Sequence, residues 1–589
     1  MSEPQLTQGD VEAVVRRYLS RVAVRYLPVL AAGLAVLLVV LTTPSTSPAS
    51  QTQGLAAPDG GTTGAVGTTT GTAPVTGTSG ATGGGATGVA PAGTTGGTTG
   101  TTGTATGATS GTSGSTGITP PSSTSGVSRG GVRCTAGARQ VTWSTYAPPC
   151  VAQYTGSNGG ATAYGVTGST VVLSYRFGNS TSDAAIAAAT GAAAPPHDAD
   201  YLKDLQVYAD YFNKQFELYG RKVVIKTFQG QGDYINEDQG QGGAQAQADG
   251  QTAHGLGAFG DVTFQLRGSN LYWSSLAQQR VVAWGPLGFP DSYYQQHAPY
   301  WWSLTASGTD LAHWMGNLTC QRLNGMPAIF SPDKTIAAKK RVFGLIHPEN
   351  PEYMTIASQM KQILTRCGVK PKEATYSINV AQFQTQSQNI MAQMQAAGVT
   401  TVLCYCDPVV PIFLGNSAQS QNYRPEWVQP YWGDGQAQQV YGGKWQGLMT
   451  PGATWPANNA NEAYKVFQLA SGGKAPVERY YAAAYGTLLQ AFTAIQAAGP
   501  QLTATRMAQA LMALPTVHGY LGSWQYQGGA HAFTPVNDAT VAYFDPDYTS
   551  QFDGQKGGYR TCERGTFFPF DDLPSRWGGP DVQLHCFGR

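Results

Sequence analysis

The sequence predicts an α/β fold of two lobes, each a parallel sheet flanked by helices, preceded by a transmembrane helix and a disordered linker. Three observations predict it. Beyond residue 168, short β-rich runs alternate with longer helical patterns, the signature of parallel sheets covered by helices. The chain has 589 residues, and the body left after its low-complexity stretch, about 450 residues, is large enough for two lobes. Ahead of that body, residues 26–41, YLPVLAAGLAVLLVVL, are apolar without interruption.

The first 130 residues read in three parts. Residues 1–25 form a short basic head with Arg16, Arg17, Arg21 and Arg25 just before the apolar run. That run, 26–43, has two readings. A cleaved secretory signal has an apolar core of about 7–15 residues with small residues at the cut, and Ser47-Pro48-Ala49 suits that cut. A membrane anchor needs about 17–25 residues, which Val22 to Thr43 supplies if Arg25 snorkels. The linker that follows favours the anchor, because a spacer is useful only when its base is held. Arginines ahead of the span then place the amino terminus in the cytoplasm and the body outside a cell membrane crossed once. Residues 44–130 form the linker. Gly, Thr, Ala and Ser dominate 51–128, Asp59 is the one charged residue between Arg25 and Arg129, and no aromatic stands between Tyr26 and Trp143. Such a stretch cannot bury enough apolar surface to offset the entropy of ordering it. Its expected root-mean-square span is roughly 50 Å for about eighty residues.

Charge excludes one class of partner. Net charge is +1 and 12% of residues are charged, without the basic patch a nucleic-acid binder shows. Lys339-Lys340-Arg341 is the one basic cluster past residue 129, read as the solvent side of a buried strand. The eight cysteines suit an oxidising compartment. Cys134 and Cys150 bracket a stapled leading segment, 131–167, and Cys562 and Cys586 a stapled extension, 546–589. Either pair would add about 3 kcal/mol in the loop-entropy model. Cys320, Cys367, Cys404 and Cys406 pair in any of three ways. Cys404 and Cys406 share one face of an expected strand, and no histidine stands at ligand spacing, so structural disulfides are expected there and no metal site.

Within the body, Thr170 to Tyr175 reads as the first strand. A helix over 199–217 follows, with Leu202, Leu205, Tyr208, Phe212 and Phe216 on one stripe, and Gly220 stops it. Lys222 to Thr227 is the next strand, and the Gly/Gln-rich segment 229–251 is weakly helical at best. Phe259–Thr263 and Arg280–Trp284 are two further strand ends. In the second series, Arg341–Ile346 is a buried strand, and Asn350-Pro351-Glu352 starts a helix with a cap, a first-turn proline and an acid that suits the dipole. Ile356, Met360, Ile363, Leu364 and Cys367 make its stripe and Gly368 its stop. A helix over 382–397 leads to the strand Thr401–Tyr405. Residues 428–432 form another strand, where Pro430 marks an edge or an end. Helices are expected near 459–470, 479–498 and 503–513.

Several of these stretches resemble the type I periplasmic solute-binding proteins, in particular the leucine/isoleucine/valine-binding branch that serves amino-acid ABC importers. The resemblance rests on Asp210-Tyr211-Phe212-Asn213 followed by Tyr219-Gly220-Arg221-Lys222-Val223, and on His347-Pro348-Glu349-Asn350-Pro351-Glu352-Tyr353 after a strand. It rests further on Ala381–Ala397, on Tyr481–Tyr485 running to Ala498-Gly499, and on Ala510–Gly522. It spans roughly 168–545 and implies two α/β lobes closing on a ligand by hinge motion. Lobe one would take about 168–320 and 455–515, and lobe two about 336–450 and 516–545. In open parallel sheets, ligands bind beyond the carboxyl ends of the strands, where helix amino termini offer N–H groups to an anion. That rule selects Arg176, Trp284, Gly285, Tyr353 and Asp407. The resemblance adds Thr263, at a position where a serine contacts a ligand carboxylate, and Asp434, where an acid holds an ammonium. Tyr353 suits stacking on a ligand. Asp407 before Pro408 also suits a turn cap, Asp434 between glycines a turn, and Trp284 core packing. The chain departs from the pattern in its long 176–197 loop, in 229–251, and in the cysteines at 404 and 406.

The function expected is capture of an amino acid or similar small polar ligand for an ABC importer permease. A sensory binding module of the same fold, passing no cargo, is the alternative. The chain shows no H-E-x-x-H, P-loop or G-x-S-x-G, so no catalytic residues, cofactor or enzymatic activity are expected.

Overall fold

The structure, a computed structural model, describes residues 118–178, 198–430, 447–449, 461–477, 480–519, 522–526, 533–549, 556–562 and 567–571. All belong to the second of two structural units, Thr109–Arg589. The basic head, the apolar run and the linker up to residue 117 lie outside the described residues, as does Asp434. Among the described residues no helix is long and apolar enough to cross a membrane.

Lobe one begins with β1 (Thr170–Phe177), whose Val171, Leu173 and Tyr175 alternate into the core. Its helices and strands follow in order: α1 (Asp198–Gln215), β2 (Lys222–Gln229), α2 (Tyr234–Asp238), α3 (Gly243–Gly255), β3 (Gly260–Asp261), α4 (Asn270–Gln278), β4 (Val282–Ala283) and α5 (Asp291–Gln296). The strands pair in parallel in the order β2-β1-β3-β4, with Val171 opposite Val223 and Gly260 opposite Val282. Such pairing needs crossovers, and the helices supply them.

Lobe two holds α6 (Gly308–Leu318), α7 (Lys334–Ala337), β5 (Phe343–Pro348), α8 (Pro351–Arg366), β6 (Lys372–Tyr376), α9 (Phe383–Ala396), β7 (Thr401–Cys404), α10 (Val410–Ser420), β8 (Glu426–Gln429) and β9 (Gly447–Met449). Strands β6-β5-β7-β8-β9 are parallel. Every residue of β5, β7 and β8 is buried, as strands covered on both faces must be. The chain then returns to lobe one with α11 (Glu462–Ser471), α12 (Tyr481–Ala498) and α13 (Ala504–Met512). Phe212 of α1 packs on Tyr485 and Phe492 of α12, and Tyr208 Oη donates to the Ala463 carbonyl at 2.8 Å. A last passage contributes the hairpin β10 (Val517–Gly519) and β11 (Gly522–Trp524), then β12 (Asp538–Ala539), β13 (Ala542–Thr549), β14 (Lys556–Thr561) and β15 (Phe568–Pro569). Strands β13 and β14 extend the lobe-two sheet antiparallel beyond β9.

One apolar cluster runs through lobe one and onto one face of the lobe-two sheet, and a second fills the other face. The disulfide Cys134–Cys150 staples a leading segment onto lobe one, where Trp143 stacks on Phe212. Gln140, fully buried, donates to the Gln215 carbonyl at 3.0 Å and accepts from Gln496 at 3.1 Å. A second disulfide joins Cys320 to Cys367, and a third joins Cys404 to Cys406. Cys562 is also disulfide-bonded, while Cys586 lies outside the described residues.

The structure corrects five sequence expectations. The body begins before the expected linker end at 130, because Ser123 N donates to the Cys150 carbonyl and Ser128 pairs with Ala152. Segment 229–251 holds two helices. The buried face of α3 is Ala246, Asp249, Gly250 and Ala253, small residues that make no hydropathic stripe yet let α3 lie close against Ser275 of α4. Arg341 does not face solvent: it is buried and makes a bidentate pair with Glu426, both bonds 2.7 Å. Helix α6, assigned by sequence to lobe one, packs on α8 through Gly308 against Ile356 and Gly316 against Ile363. Cys404 and Cys406 are not two residues of one extended strand. Strand β7 ends at Cys404 and the chain bends, bringing their Cα atoms to 5.2 Å. The glycine stops hold: Gly368 and Gly398 follow α8 and α9 with φ of +76° and +67°, a region other residues rarely enter.

Candidate functional site

The carboxyl ends of the two parallel sheets meet across the lobes, and most of the sequence-selected residues stand there. In lobe one, Arg176, expected just past the first strand, is the second-last residue of β1 and is 1% exposed. Its guanidinium lies over the Tyr272 ring at 3.7 Å, and its Nη1 donates to Glu237 Oε1 at 2.9 Å and Asp249 Oδ2 at 3.1 Å. Nη2 donates to Glu237 Oε2 at 3.3 Å and to the Arg267 carbonyl at 2.6 Å. Thr263, two residues past β3, accepts the Arg176 backbone N–H at 2.8 Å, so these two selected residues share one network. Asp261 anchors the network from below, accepting from Ser174 Oγ at 2.7 Å, Tyr272 Oη at 2.9 Å and Thr263 N at 3.0 Å. Burial pushes its carboxyl upward, against the opposing effect of those donors.

Trp284 and Gly285 follow β4. Trp284 is fully buried against Gly260, and its indole N–H has no hydrogen-bond partner. Gly285 lies under the indole of Trp273: a Cβ there would stand 2.8 Å from Nε1. Together they form a packed wall at the end of β4.

Lobe two supplies the opposite side. Tyr353, in the first turn of α8, packs edge-on against Tyr405 with ring centroids 5.7 Å apart. Asp407 accepts from Tyr376 Oη at 2.6 Å and from Val409 N at 2.7 Å and Val410 N at 3.2 Å, so it fastens the turn that leads into α10. Burial is the main reason its carboxyl is raised.

Hydrogen bonds cross between the lobes at the start of α6, where Gly308 N donates to the Phe289 carbonyl at 2.8 Å and Asp291 N to Thr309 Oγ1 at 3.2 Å, and at two side chains beyond the strands of lobe two. Asn350 Nδ2 donates to the Asp238 carbonyl at 2.6 Å, and Tyr405 Oη donates to the Gly288 carbonyl at 3.0 Å. Asn350, expected as a helix cap, caps with its backbone position only and spends its side chain on the facing lobe. The Asp238 carboxyl is pushed well above its ordinary value by burial and by the charges of Glu352, Glu237 and Asp407.

Sequence reasoning missed Glu237, Asp238, Asp249, Asn350, Tyr376 and Tyr405. One signal was readable: Asp233, Glu237, Asp238 and Asp249 are the acids of a segment made mostly of Gly, Gln and Ala. Among the described residues, no group of three His, Cys, Asp or Glu side chains is placed to hold a metal ion.

The sequence matches no protein-family model and no curated protein. Among solved structures, the chain is similar to an ABC transporter substrate-binding protein from Desulfitobacterium hafniense in complex with Leu, at 12% identity and a TM-score of 0.43, covering 67% of this chain and 99% of that one. It is similar to a leucine-, isoleucine-, valine-, threonine- and alanine-binding protein from Brucella ovis, at 13% identity and a TM-score of 0.46, covering 68% and 95%. A third is a solute-binding protein from R. palustris in complex with 4-hydroxybenzoate, at 11% identity and a TM-score of 0.48, covering 69% and 98%. On its own strand order, its two sheets with facing carboxyl ends and its returning helices, the chain has an α/β fold of two lobes, each built on parallel strands flanked by helices.

Proposed function

We propose that this chain is an extracellular solute-binding protein that captures a small polar ligand, of amino-acid size, by closure of its lobes, and delivers it to an ABC importer. The observation that supports it is the cross-lobe contact of Asn350 with Asp238 and of Tyr405 with Gly288, at the carboxyl ends of both sheets. A ligand placed there touches both lobes and so shifts an open–closed equilibrium toward the closed form. Tyr353, Asp407 and Thr263 are proposed to line its seat. The apolar run 26–43 is proposed to hold the protein in the membrane, with 44–117 as its leash; intact mass of the mature chain tests whether the run is retained.

Titration calorimetry of the body against a panel of amino acids, their amines and amides tests the capture. At least one saturable ligand is expected, and Tyr353→Ala should weaken it about tenfold through lost ring contact. A panel without any saturable member overturns the reading.

A further inference from the structure

Lobe one holds two carboxylates buried against one guanidinium near the carboxyl ends of its strands. Two side chains near the carboxyl ends of β1 and β3 are suited to grip an anion: the Arg176 guanidinium, within the last strand pairing of β1, and the Ser269 hydroxyl that caps α4 by accepting from Tyr272 N at 3.0 Å. Glu237 takes both. Its Oε1 accepts from Arg176 Nη1 at 2.9 Å, and its Oε2 accepts from Arg176 Nη2 at 3.3 Å and from Ser269 Oγ at 2.5 Å. Asp249 adds a second carboxylate at 3.1 Å from Nη1, itself held by Gln231 N and Gly232 N. The Arg267 carbonyl uses Nη2 again. Only Nε of Arg176 is left without a partner. A single N–H is not the fork that binds a carboxylate in two places. The guanidinium and both carboxylates are about 1% exposed or less, so this is a built-in ion cluster and not a surface coincidence. It holds one positive charge against two negative ones.

Among the described residues, the facing lobe brings the acids Glu352 and Asp407 toward Asp238, beside the cross-lobe bond, with Arg176 opposing them from lobe one. Arg267, the other buried cation nearby, is paired with Asp198 at 3.2 Å.

Resting on the solute-binding reading above, we infer that Glu237 is a specificity-determining residue: its carboxylate fills the anion seat of lobe one, so the solute taken carries an amine and no carboxylate. An α-amino acid would set its carboxylate against Glu237 and Asp249, whereas the corresponding amine offers only the charge the cleft favours.

Matched pairs test this: isopentylamine against leucine, cadaverine against lysine, and agmatine against arginine, titrated into the intact body. In any pair that binds, the amine is expected to bind at least about tenfold more tightly than its parent amino acid, the scale set by a like-charge contact. Glu237→Gln, which keeps volume and hydrogen bonding, is expected to shrink that ratio. A purely structural role would weaken both members equally. If an amino acid binds as tightly as its amine, the inference fails while the solute-binding reading stands. If no member of any pair saturates, both fail together. Should the Gln variant not fold, the wild-type ratios decide alone.

Discussion

Glu462 illustrates how a single buried acid sets the pH response. It starts α11 and accepts a short hydrogen bond from Tyr485 Oη, and burial raises its carboxyl from 4.5 to about 7 against the effects of Tyr485 and Ser144. The sign follows from linkage. Below pH 4.5 the group is protonated in both states, and its contribution is fully present. Between 4.5 and about 7 the unfolded chain ionises first, so stability is lost as pH rises, by up to about 3 kcal/mol. Asp261 and Asp407, also raised mainly by burial, act in the same direction. Denaturant unfolding at pH 5 and pH 8 should show the body more stable at pH 5, and Glu462→Gln should remove a good part of that difference. An unchanged difference in the variant would assign the slope to other groups. At this scale the sequence was a partial guide. Arg176 and Thr263 were legible because they stand near strand ends, but their partners were not. Glu237 and Asp249 lie 61 and 73 residues further along the chain, so only the fold brings them to Arg176.

Elements were more legible than contacts. Strands β5 and β7 and helices α8, α9 and α12 follow from apolar runs and stripes, since burial on a regular surface leaves a regular pattern. Helix α3 did not, because its packing uses glycine and alanine where hydropathy has no contrast. Strand β13 was missed for another reason: added at the far side of a sheet, its side chains are largely half-exposed or exposed, and it carries little apolar signal. Packing of small residues also decides the junction of the lobes. A Cβ on Gly308 of α6 would stand 2.5 Å from the Gly288 carbonyl and 2.8 Å from Tyr405 Oη, the two atoms of a cross-lobe hydrogen bond. Gly308→Ala should therefore cost about 1–3 kcal/mol by overpacking. It should also weaken ligand binding more than Gly316→Ala, whose clash with Ile363 lies within lobe two. Equal effects on binding would place the closure contact elsewhere.

For the molecule as a whole, packing and hydrogen bonds together join the lobes. Asn350→Ala with Tyr405→Phe removes the two cross-lobe hydrogen bonds that these side chains donate, each worth about 1 kcal/mol net. Small-angle scattering of the unliganded double variant should show a larger radius of gyration than the parent, and its affinity for any ligand found should drop about tenfold or more. A radius identical to that of the parent protein would mean that packing alone holds the lobes together.

The order of the chain carries a consequence for how the protein comes to exist. Lobe one needs α11, α12 and α13, which are made only after the central strands of lobe two, and lobe two needs β13 and β14, made later still. Domains ordinarily fold one at a time as they leave the ribosome. Here neither half can complete its core while the stretch beyond residue 461 is still being synthesised. A nascent chain halted before that point exposes unfinished apolar surface on both halves, which makes it a natural client for chaperones during synthesis.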